Sequence, residues 1–149
     1  MSCCDKYKKS VLDAYSNTSR TYVTNDNIVY DNAYILNGES ITYTANTSTP
    51  KIVKSGLYLV MFSADAVATT AGDITMQLLR NNVAVPSAEA TVTAANTTDT
   101  NNITLHTLIE VNNTCCCSGV GVNSIPVSIA NTGVGVTVTN AKIDIIKLA

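Results

Sequence analysis

The residues best equipped for chemistry are five cysteines, grouped as Cys3-Cys4 near the start and Cys115-Cys116-Cys117 far along the chain. A thiolate can attack an electrophile, bind a soft metal or pair with a second thiol. Neighbouring cysteines seldom bond each other, because the short ring that results is strained. One reading is therefore a cross-link in which Cys3 and Cys4 of one subunit meet Cys115, Cys116 and Cys117 of another. Such bonds would form in an oxidising setting outside the cell, and the alternative is five reduced thiols in a reducing compartment. Zinc is a third reading, but structural zinc sites use spaced Cys/His pairs and these cysteines are contiguous. No metal and no other cofactor is expected.

Little else in the chain is armed for catalysis. His106 is the single histidine, and it falls on the polar side of an alternating stretch. Asp65, Asp73, Asp99 and Asp144 are scattered singly near turns and do not make a calcium loop. No phosphate loop, dinucleotide fingerprint or serine elbow is present. The expected class is not an enzyme.

The elements that carry these residues read almost entirely as strands. Over 101–118 the chain alternates, with Ile103, Leu105, Thr107, Ile109 and Val111 on one face. Asn102, Thr104, His106 and Glu110 take the other, with Leu108 as the one apolar intruder. Alternation of this length marks a half-buried antiparallel strand. Further strands are expected over 28–30, 33–36, 41–44, 52–53, 57–68, 74–80, 83–85, 88–94, 120–122, 125–130, 134–139 and 143–148. Asn37-Gly38, Ala71-Gly72-Asp73, Asn81-Asn82 and Asn131-Thr132-Gly133 supply turns between them. Eight to ten short strands with turns every 8–12 residues are expected, which predicts an all-β antiparallel sandwich or barrel.

The N-terminus reads differently. Tyr7, Val11 and Tyr15 recur at i, i+4 and i+8, which predicts a short amphipathic helix. A helix of this length cannot stand alone in water, so residues 1–26 are expected to be a docking arm ahead of a body at 27–149. Charge supports the division. The first 24 residues carry four basic and two acidic side chains, and the remainder five and nine. The net charge is −2 and charged residues are only 13%, which argues against nucleic acid as a partner. No signal peptide and no run of apolar residues long enough to span a membrane is seen, so no membrane partner is expected.

Three stretches bring a known family into view. They are Val53-Lys54-Ser55-Gly56-Leu57-Tyr58-Leu59-Val60, the run from Thr75 to Pro86, and Ile129-Ala130-Asn131-Thr132-Gly133 ahead of the last strand. Together they resemble the trimeric jelly rolls of the tumour-necrosis-factor and complement-globular-head superfamily, in its bacterial and bacteriophage branch. The resemblance covers about 28–148. It implies a homotrimer, with Tyr30, Tyr34, Tyr43 and Tyr58 as candidates for the seam between copies. It also implies a structural role. The first expectation is a phage capsid decoration or head-fibre protein on the virion surface, its arm gripping the major capsid protein. The alternative is a self-assembling spore-surface or extracellular fibre subunit, whose arm docks on neighbouring copies and whose cysteines lock the joint. A third expectation is a tip that binds surface glycans or a receptor.

Overall fold

A computed structural model describes residues 9–112 and 124–149. The strands, in chain order, are β1 (Val11–Ser16), β2 (Arg20–Tyr22), β3 (Asn32–Asn37), β4 (Ile41–Thr42), β5 (Lys51–Ile52), β6 (Gly56–Ala68), β7 (Gly72–Arg80), β8 (Val83–Ala94), β9 (Asn101–Val111), β10 (Ile125–Asn131) and β11 (Val136–Lys147). One sheet runs β3-β1-β11-β6-β9, with β2 also paired to β11, and the other runs β4-β5-β10-β7-β8. Every strand pairing is antiparallel. The protein is an all-β antiparallel sandwich, as the strand spacing predicted, and a jelly roll, as the resemblance implied.

The core lies between the sheets and is built by alternation. On β6, Tyr58, Val60, Phe62, Ala64, Ala66 and Ala68 all point inward. Across from them Ile103, Leu105, Ile109 and Val111 of β9, and Ile143 and Ile145 of β11, are buried as well. The second sheet answers with Ile74, Met76, Leu78, Val127 and Ile129. Burial of each large aliphatic side chain contributes about 1.5–3 kcal/mol.

The N-terminal helix is corrected. Val11–Ser16 is a strand, held between β3 and β11. Leu12 and Ala14 are fully buried, while Val11, Asp13 and Tyr15 face outward. The reason is arithmetic: a spacing of four is also two strand repeats, so Val11 and Tyr15 share a face in either conformation. The division expected between a docking arm at 1–26 and a body at 27–149 does not follow the sheet, because β1 and β2 are ladder members of the six-stranded sheet. Tyr7 lies outside the described residues.

Other boundaries shift for local reasons. The stretch 28–30 is not a strand; it is tied down by isolated bridges from Asn27 to Ala130 and from Tyr30 to Thr47. Pro86 was expected to end a strand, yet β8 runs through it. The register slips opposite Gln77–Leu79, and Ser87 takes a positive φ of 67°, the signature of a bulge. The Gln77 amide fills the gap, donating to the carbonyls of Val85 at 3.0 Å and Ala88 at 3.2 Å. Strand β11 likewise passes over a bulge, its register against β6 slipping between Val138 and Asn140. The Asn81-Asn82 turn holds as expected, with both residues at positive φ (52° and 64°), as a two-residue type I′ hairpin requires.

The Asn131-Thr132-Gly133 stretch is a packed corner. Asn131 is fully buried and its amide donates to the Val134 carbonyl at 2.9 Å, while its Oδ1 accepts from Gly133 N at 3.2 Å. A Cβ on Gly133 would fall on the Asp73 carbonyl and the Thr75 nitrogen, so no larger residue fits there.

Candidate functional site

Register alone assembles the outward face of the six-stranded sheet. Val11 of β1 pairs with Ile146 of β11, Ile146 with Leu59 of β6, and Leu59 with Leu108 of β9. Across these four strands the row is therefore aliphatic; it ends on β3 in Asn37, and Leu108 at the other end is 57% exposed. The next row reads Ile35, Asp13, Asp144, Met61, His106. Below it come Tyr15, Lys142, Ser63 and Thr104, and then Asn140, Asp65 and Asn102.

Polar contacts fix the lower rows. Lys142 Nζ lies 3.1 Å from Asp13 Oδ2. Asp65 accepts from the amides of Asn102 at 3.0 Å and Asn140 at 3.4 Å. A shallow cavity of about 450 Å3 opens between these groups, with Tyr15 and Tyr34 along its wall. Burial, with the neighbouring Asp13 carboxylate, pushes the Asp144 carboxyl above its ordinary value. Hydrogen bonding to Asp13, with the Asp144 charge beside it, holds the Lys142 ammonium above its own.

The opposite sheet presents another surface. Its outward face carries the Thr75–Thr91 hydroxyl pair at 2.9 Å and Thr93 donating to Asp73 at 2.8 Å. Such a face is content in water. The apolar surface of the six-stranded sheet instead continues round its β9 edge, where Leu108 meets Val83, Pro86 and Arg80 in a groove of about 310 Å3. Val83 is 67% exposed.

The structure separates the four tyrosines expected at a seam. Tyr30 and Tyr58 are fully buried within the single chain, so they cannot meet another copy; alternation along β6 turns Tyr58 to the core, and Tyr30 is held by its bridge to Thr47. Tyr58 Oη donates to the Lys54 carbonyl at 2.7 Å, and Tyr43 Oη to the Tyr30 carbonyl at 2.7 Å. Tyr43 packs half-buried against the core. Tyr34 is 79% exposed. It is the extra residue where β3 slips against β1, Ile35 facing Asp13 and Ala33 facing Ala14, and the bulge re-aims it toward the cavity. Val11 and Tyr15, expected to dock an arm, stand on the same outward face. Cys3, Cys4, Cys115, Cys116 and Cys117 lie outside the described residues. His106 is exposed in the second row, sharing a depression with Lys142 and Asp144.

Sequence reasoning missed Leu59, Ile146 and the opposed pair Asp13–Asp144, because membership of one row depends on which strands are neighbours. One signal was present: Leu108 breaks an otherwise polar face.

No protein-family model matches the chain, and no characterised protein matches it in sequence. Solved structures do match in shape. Murine APRIL superposes with a TM-score of 0.63 at 12% identity, over 95% of this chain and 100% of that one. The Eiger tumour-necrosis factor of S. frugiperda gives 0.62 at 13% identity, over 95% and 94%. The vertex protein P5 of phage PRD1 gives 0.56 at 17% identity, over 94% and 97%. The fold is a tumour-necrosis-factor-like jelly roll, one that a phage vertex protein shares.

Proposed function

We propose that this chain is a non-enzymatic structural subunit that assembles as a homotrimer and is displayed on a virion surface. One observation carries the self-assembly: an apolar row across β1, β11, β6 and β9 that continues round the β9 edge to Val83, with Leu108 57% exposed at the corner. A contact between two unlike parts of that surface is head-to-tail, and it closes into a ring where the rotation between copies brings the last onto the first. Contiguous exposed apolar surface of this kind marks an association site. The likeness to a phage vertex protein supports the virion setting. In this reading the segment ahead of β1 grips the capsid, while the trimer projects from it as a decoration or head-fibre protein.

Sedimentation and negative-stain microscopy of the full chain, with and without reductant, test the reading. Discrete trimers indifferent to reductant are expected. Long filaments would overturn it in favour of a self-assembling fibre, with the cysteines as cross-links if reductant dissolves them. A single chain at every concentration would remove self-assembly altogether.

A further inference from the structure

The outward face carries a charge arrangement poorly suited to being covered. Asp13 and Asp144 are directly opposed on neighbouring strands, a placement that leaves side chains about 5 Å apart and is unfavourable for like charges. Lys142, two residues along β11, supplies one ammonium for the two carboxylates. The strand on the far side, β6, offers Met61 in the same row and Ser63 in the next, with the Asp65 carboxylate one row further, held by the Asn102 and Asn140 amides. On β9 the titratable neighbour is His106, beyond Met61; on β3 the row ends in Ile35, with Tyr34 beside it. From β1 itself, Tyr15 flanks Asp13. Immediately above lies the aliphatic row Val11, Ile146, Leu59, Leu108. Any partner that covers that row brings Asp144 out of water with it.

Resting on the self-assembly reading above, we propose that docking of a second copy on this face draws a proton onto Asp144, so that assembly tightens as the medium becomes acidic. Taking two carboxylates and one ammonium from water leaves one uncompensated negative charge, which is costly in a low-dielectric contact. Binding a proton removes it without moving any side chain. Asp144 already sits above its ordinary value in the single chain, through burial and the Asp13 charge; a second copy adds burial in the same sense.

The sign follows from linkage. A carboxyl that binds its proton more tightly when assembled gains association strength as pH falls through the assembled-state value. The gain levels off below the value of the separate chain. Within that window the association constant rises up to about tenfold per pH unit for each copy that takes up one proton.

The experiment is sedimentation equilibrium of the full chain under reductant, from pH 4.5 to 8, for the wild type, Asp144→Asn and His106→Gln. Proton release on dilution is measured alongside, by calorimetry in two buffers of different ionisation enthalpy. The expected result is a wild type that tightens in acid and takes up protons on assembly. Asp144→Asn should associate as tightly at pH 8 as the wild type does in acid, with the slope gone, while His106→Gln keeps the wild-type slope. A wild-type association constant flat across the range would overturn the proposal while leaving the trimer standing. So would a slope abolished by His106→Gln and kept by Asp144→Asn. A chain that stays single at every pH, in all three forms, would remove the trimer reading and this inference together.

Discussion

Asp31 shows how much of the fold hangs on single polar groups. Its Oδ2 accepts from Ser16 Oγ at 3.1 Å and from the backbone nitrogens of Asn17 and Thr18 at 3.1 and 3.2 Å. Its Oδ1 takes a 2.7 Å contact from Arg20. Burial alone would push this carboxyl up, yet the hydrogen bonds from Thr18, Asn17 and Ser16 outweigh it and hold the group below its usual value. A lowered carboxyl contributes stability that is present above the unfolded value, about 3.9, and lost as pH falls through the folded one. Asp31→Ala should cost about 2–4 kcal/mol in urea unfolding at pH 7, and the difference from wild type should shrink below about pH 4. Tyr30 is the opposite case. Its hydroxyl is buried with no hydrogen-bond partner among the described residues, and burial drives the phenol well above its ordinary value. Tyr30→Phe should leave stability unchanged or raise it by up to about 1 kcal/mol, read as a higher urea midpoint at unchanged slope.

Among the elements, β1 decides whether the chain begins with an arm or with the body. It pairs over its whole length with β11 on one side and over most of it with β3 on the other, and buries Leu12 and Ala14 completely. Deleting residues 1–16 should therefore abolish the cooperative thermal transition, an outcome that loss of a merely attached arm would not produce. The sequence made β6 and β9 plain, because their alternation is long and unbroken. It hid β1, whose apolar spacing suits two periods at once. It also split β8 at Pro86 and β11 at Asn140, since a bulge and a strand end look alike until the partner strand is known. The outward face was legible only through Leu108, an apolar residue on a polar side. Its row-mates Val11, Leu59 and Ile146 sit in three separate strands, and nothing local declares that those strands are neighbours.

For the whole molecule, self-assembly is a claim about surface and separates cleanly from stability. Leu108 is more than half exposed in the single chain, so placing a charge there should change folding by no more than about 0.5 kcal/mol. Leu108→Asp should nevertheless shift the sedimentation profile toward single chains at concentrations where the wild type is assembled. Thermal melts of the dissociated chain should coincide with those of the wild type.

The order of strands in the larger sheet also sets a timetable for the newborn protein. Its central position, between β1 and β6, is filled by β11, the last of these eleven strands along the chain. Until β11 arrives, β1 and β6 have each lost a ladder, and the first strand waits for a partner more than a hundred residues downstream. Contacts between such distant parts of a chain form slowly. The body therefore cannot close while the ribosome is still translating it. The unpaired edges of β1 and β6 are on show until β11 emerges, and other unfinished copies made from the same message would be the nearest things for them to meet.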